Sequence, residues 1–249
     1  MKFKYVPIYI MFLISLIFSD LSLERGSISV MATGFSTETS VNMAFSTEDV
    51  TEERQKTFLS NLHITFLQEE PKNKSIVCFD VNEEGLIALG FSTSNNKMIC
   101  IYTIEGIFQY GYSFNAAGNF GVEWNGDEIT IYFVRSDIAA TITPKGEIIK
   151  ILKIQNTSEN DYYWRHSVFA KERIVGDSTY IIRNDMGPLN IITSSFSQLV
   201  VIDKEEHISV IYDVNSTQLL KYIVIIITLF LLISIAVSVI LIRLFKIKR

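Results

Sequence analysis

The stretch IVCFDVNEEGLIALGFSTSNNKMICIYTIEGIFQYGYSF, residues 76–114, decides the fold. It holds four short apolar runs rich in β-branched and aromatic residues, the composition of strands rather than helices. Between them stand Asn82-Glu83-Glu84-Gly85 and Ile104-Glu105-Gly106, whose Gly residues supply the positive φ of tight hairpins. The next stretch, NFGVEWNGDEITIYFVRSDIAATITPKGEIIKILKI (119–154), repeats the pattern, with turns at Asn125-Gly126 and Pro144-Lys145-Gly146. A third copy reads TYIIRND (179–185), LNIITSS (189–195) and QLVVIDKEEHISVIYDV (198–214). Gly106 and Gly146 lie 40 residues apart at equivalent turns. The reading is a mainly β domain over 75–214, built from three four-stranded antiparallel meanders.

Four strands in about 40 residues is the period of a propeller blade. The repeats resemble those of bacterial surface and lipoprotein-like sensors. The whole arrangement is similar to uncharacterised single-pass membrane proteins of low-GC bacteria. That resemblance carries over no site residue and no activity. Strands such as EITIYFV (128–134) are apolar on both faces, as sheets packed on both sides require. A β-sandwich is the alternative and calls for cleaner alternation. Closed propellers use about four to eight blades, so three need completion. Completion comes from the mixed segment 24–74, which packs on the β domain, or from a second copy. In that segment EERQKTFLSNL (52–62) reads as a helix and LHITFLQ (62–68) as an edge strand. Residues 155–176 form an insertion with a short helix.

Residues 222–242, YIVIIITLFLLISIAVSVILI, contain no charge, and 16 of the 21 are Ile, Leu, Val or Phe. At 1.5 Å per residue they span about 30 Å, the bilayer hydrocarbon thickness. A transmembrane α-helix is expected, with the bilayer as partner. Residues 1–23 carry Lys2 and Lys4 before an apolar run from Val6 to Phe18, a signal peptide or signal anchor. Arg243, Lys246, Lys248 and Arg249 follow the helix in the basic tail 243–249, and only Lys221 closely precedes it. The positive-inside rule puts that tail in the cytoplasm and the domain outside. Seven of the 22 Lys and Arg lie at the ends (Lys2, Lys4, Lys221 and the tail). Asp20 also lies in the N-terminal segment, so the domain carries 15 − 26 = −11 charges, which argues against nucleic acid as partner.

Chemistry-bearing motifs are sparse. Asp80, Asn82, Glu84 and Gly85 are spaced like the first half of a calcium loop, but Phe91 stands where the twelfth-position acid belongs. His63, His166 and His207 are far apart, and no zinc, nucleophile-elbow or phosphate-loop spacing occurs. No cofactor, metal ligand or catalytic residue is assigned. Cys78 and Cys100, on the first and third strands of one repeat, are expected as free thiols. Two strand spacings, about 9.5 Å, exceed disulfide reach. Tyr162, Tyr163, Trp164, Arg165 and His166 form the densest aromatic cluster and are the expected interaction surface. The expected function is a non-enzymatic, membrane-anchored, extracytoplasmic binding or sensing module. An accessory subunit of a membrane complex, and an extracytoplasmic hydrolase, are the alternatives. A protein partner or homo-oligomer at the membrane follows from the same reading.

Overall fold

Gly106 and Gly146 have φ of +76° and +82°, so both hairpins turn through backbone that only glycine adopts without strain. Around such turns the computed structural model, which describes residues 45–93, 96–193 and 195–247, forms three antiparallel sheets. The signal segment, residues 24–44 and the last two tail residues lie outside the described residues.

The first repeat gives β3 (Ile76–Val81), β4 (Ile87–Ser92), β5 (Asn96–Tyr102) and β6 (Phe108–Asn115). The second gives β7 (Phe120–Asn125), β8 (Glu128–Phe133), β9 (Ile138–Ile142) and β10 (Ile148–Ile154). Both are simple meanders, and each gains a fifth strand from the N-terminal segment. β1 (Thr47–Asp49) pairs with β10, and β2 (Thr65–Leu67) pairs with β6. The strand in LHITFLQ thus seals the outer edge of the first sheet, and β1 was not foreseen. α1 (Glu52–Asn61) is capped by the Thr51 hydroxyl and lays Phe58 against Phe133 at 5.0 Å.

The third sheet corrects the expected strand order. LNIITSS is not a strand: Gly187–Ile192 is a 3₁₀ turn. Gly187 has φ +59°, and Pro188 follows in the first turn, where its fixed φ suits a helical turn and its missing N–H costs nothing. The fourth strand comes instead from the expected insertion. The sheet runs β11 (Glu172–Val175), β12 (Ser178–Arg183), β13 (Gln198–Ile202), β14 (Ile208–Asp213). The insertion is accordingly shorter than 155–176. It holds α2 (Ser158–Tyr163), capped by Thr157, and a π turn over Trp164–Val168.

The sheet containing β3–β6 is the middle layer. Cys78, Ala88, Ile99, Ile101 and Phe114 on one face pack with Phe120, Val122, Ile131 and Ala140 of the second sheet. Phe79, Leu89, Phe91, Cys100 and Tyr102 on the other face pack with Tyr180, Ile182, Leu199 and Tyr212 of the third. This double burial explains the strands apolar at every position. It also sets the two cysteines apart. Cys78 pairs with Gly90, which pairs with Ile99, so Cys100 is one position out of step and faces the opposite way. Both thiols are buried and free. The inner-edge strands β3, β7 and β11 lie together, and the meanders run outward from them. Among the described residues the three sheets are open.

α3 (Asn215–Ile247) follows β14 after Val214. Residues 215–221, ahead of the apolar span, are already helical and rise only about 10 Å. From Leu220 to Ile240 its Leu, Ile, Val and Phe side chains are exposed, and its most apolar window has mean hydropathy 3.2 with no burial. Thr228, Ser234 and Ser238 turn their hydroxyls onto carbonyls four residues back, so the span's polar groups are satisfied within the helix. The helix fits a single-pass membrane anchor.

Candidate binding cleft

Where the sheets fan apart at the N-terminal ends of β3 and β7, a cleft of about 480 Å³ opens. Its lining is Val77, Ser92, Asn119, Phe120, Phe169, Ser195 and Phe196. Three phenyl rings and a few hydroxyl and amide groups make the usual composition of a small-ligand site. Ser92 ends β4, Phe120 begins β7, and Phe169 follows the π turn. Phe196 is held by a two-way backbone pair with Ile76 at 2.8 Å each way. The Lys171 ammonium lies 5.3 Å from the Phe196 ring centre.

Lys97 of β5, directly opposite Ser92 in register, is 5% exposed. Its Nζ donates to Ser92 Oγ at 2.6 Å and to Thr93 O at 3.4 Å. Among the described residues it has no carboxylate within ion-pair distance. Burial holds its pKa below the ordinary lysine value.

Farther along the same inner strands the three sheets are tied by charge. Asp80 of β3 accepts from Arg173 Nε of β11 at 2.8 Å and from the Trp124 N–H of β7 at 2.7 Å. Arg173 also donates to Ser167 O at 2.7 Å and lies 5.2 Å from the Phe79 ring centre. Beside this pair Glu123 accepts from the Tyr132 hydroxyl at 2.6 Å and the Tyr163 hydroxyl at 2.9 Å. Burial raises the pKa of both acids, against the pull of Arg173 on Asp80 and of the hydroxyls on Glu123. The calcium-like spacing dissolves here. Asp80 is spent on Arg173, and Asn82 Oδ1 accepts from Glu84 N and Leu86 N inside the turn. Among the described residues no cluster of three His, Cys, Asp or Glu is placed to hold a metal.

The cleft also adjoins α3. Gln218, in the first turns of α3 and buried, donates to Phe196 O at 3.4 Å and to Ser75 Oγ. Asn215 accepts from Ser197 Oγ at 3.0 Å, and Thr217 donates to Asn73 Oδ1 at 3.2 Å. Tyr212 OH donates to Lys74 O at 2.7 Å. The loop that forms one cleft wall is thus the loop that grips the helix.

The predicted aromatic cluster divides in two. Tyr163 and Trp164 pack on Phe45, with ring centres 4.6 and 4.7 Å away, and cover the free face of the second sheet beside Tyr132. Tyr162 is exposed and stacks on His166 at 3.9 Å, while Arg165 is exposed and donates to Asp161 O. Neither half lines the cleft, though Trp164 stacks on Phe169 at 5.6 Å just behind its wall. Lys97, Phe196 and Lys171 escaped the sequence reading. The one available signal was a lysine inside the otherwise apolar strand KMICIY. Compared with known proteins, the chain matches no family model and no curated sequence.

Proposed function

We propose that this protein is a membrane-anchored, non-enzymatic binding or sensing module whose domain lies outside the cytoplasm and whose cleft receives the ligand. Its three sheets act as blades of an incomplete propeller, with inner strands β3, β7 and β11 on the axis. The observation that carries this reading is the shared loop: Phe196 is a cleft wall and its carbonyl accepts from Gln218 of the helix. Occupancy of the cleft bears on the helix through one residue. The exposed apolar helix and the cations that follow it support the anchor and its orientation. Tyr162, Arg165 and His166 offer a second contact surface on the insertion.

The accessory-subunit reading has one observation in its favour. Ile174, Ile208 and Val210 stand exposed on the outer face of the third sheet, which leads directly into α3. An apolar surface of a membrane-protein partner suits that face.

The topology test uses the silent native thiols. Cys78 and Cys100 are buried, and the Cys100 thiol is pushed up to about 12 by burial. A membrane-impermeant maleimide should therefore label only introduced cysteines. Labelling of Glu84→Cys in intact cells, and of Lys248→Cys only after permeabilisation, is the expected result. The reverse pattern sinks the orientation.

A further inference from the structure

A buried ammonium without a carboxylate partner is costly, because transfer from water is repaid only by opposite charge or full hydrogen bonding. Lys97 is in that state. Two of its three N–H donors go to Ser92 Oγ and Thr93 O, neither of them ionised. Ser92 is exposed and lines the cleft. An anion beside Ser92 would come within one hydroxyl of the Lys97 charge and would provide the compensation that no carboxylate among the described residues supplies. The rest of the lining is three phenyl rings with Val77, Asn119 and Ser195, and Lys171 is a second cation beside Phe196.

We propose that the cleft takes an amphiphilic monoanion: an apolar body against Phe120, Phe169 and Phe196, and one carboxylate- or phosphate-type head at Ser92 over Lys97. This rests on the cleft being the ligand site. The domain's charge of −11 (15 − 26) fits a single-headed ligand. A negative field disfavours polyanions at long range, while a short-range contact with a desolvated lysine still selects one negative group. Such a ligand exists as a free solute or as the head of an anionic lipid, and the cleft's position beside the first turns of α3 admits both.

The test uses the full chain in phosphatidylcholine nanodiscs and two probes of one shape, 2-naphthoate and the neutral 2-naphthamide, titrated calorimetrically against empty discs. Naphthoate is expected to bind about tenfold tighter or more, the size of one close charge pair. Lys97→Met should abolish that preference while leaving naphthamide binding in place. Met fills the same space without a charge, a change that is commonly neutral or stabilising at buried sites. If that variant does not fold, the wild-type preference and its reduction in Lys171→Gln decide alone. Equal binding of the two probes overturns the anion proposal and keeps the cleft. Binding of neither overturns both. A naphthoate preference that survives Lys97→Met also overturns the proposal. Repeating the titration in phosphatidylglycerol discs at 0.5 M salt, where surface repulsion is screened, separates the sources. Lost naphthoate binding assigns the head to lipid and retained binding assigns it to a solute, and either result upholds the monoanion.

Discussion

Replacing Arg173 by Leu removes the cation that ties the third sheet to Asp80 of the first, which in turn holds Trp124 of the second. Asp80 would keep the Trp124 N–H, and the carbonyls of Ser167 and Phe79 would each lose one donor. The side chains of the pair are 15% and 14% exposed, so the stranded carboxylate stays largely out of water. Breaking a buried pair from one side costs about 3–5 kcal/mol. With a urea m-value of about 2 kcal/mol/M, the unfolding midpoint should fall by roughly 1.5–2.5 M. Asp80→Leu should cost less, about 2–3 kcal/mol, because Arg173 retains backbone carbonyl partners. The double variant should lie well above the sum, with coupling of about 1–3 kcal/mol. Emission from Trp124 and Trp164, the two tryptophans, reports the transition in detergent micelles. Both sit in or beside the cluster. A midpoint shift under about 0.5 M for Arg173→Leu, or strict additivity, would refute a tie between sheets through this pair.

Three further outcomes are expected. Mass spectrometry of the unreduced protein should find Cys78 and Cys100 unlinked, since they face opposite sides of one sheet; a bridge between them contradicts both register and layer order. Gly121→Ala should cost about 1–3 kcal/mol and shift Trp164 emission, because a Cβ there overlaps the Val168 methyl in the π turn; an unchanged midpoint means the turn does not rest on β7. Glu123 has its pKa raised by burial, so the stability it contributes is full below the ordinary carboxylate value and is lost as pH rises through the raised one. Relative to Glu123→Gln, the wild type should gain stability on going from pH 7.5 to pH 4. A parallel pH dependence in the two proteins removes Glu123 as its source.

The strand pattern was legible because each hairpin announces itself twice, in an apolar run and in a turn residue. It failed where those signals conflict. LNIITSS has strand composition, but Gly187-Pro188 in front of it imposes a helical turn. ERIV, which opens on two adjacent charges, looks like loop until it is seen as the inner edge of the third sheet, where Arg173 reaches Asp80. β1 reads Thr-Glu-Asp and carries no strand signal of its own; its extended form is dictated by the free edge of β10. Of the candidate site, the aromatic cluster was visible and half of it is packing. The cleft was not, because Ser92, Phe120 and Phe196 are scattered over more than a hundred residues and are joined only by the way the sheets diverge.

The two borrowed edge strands impose an order on assembly. Thr47 of β1 meets Ile154 of β10, 107 residues later, and at synthesis rates of about 5–20 residues per second that partner is made roughly 5–20 s after β1. Phe66 of β2 meets Tyr112, less than half that distance away. The first sheet can therefore be sealed while the second is still being made. What each strand exposes meanwhile matches its wait: Thr-Glu-Asp, which resists pairing with other chains, has the long one, and the apolar Thr-Phe-Leu has the short one.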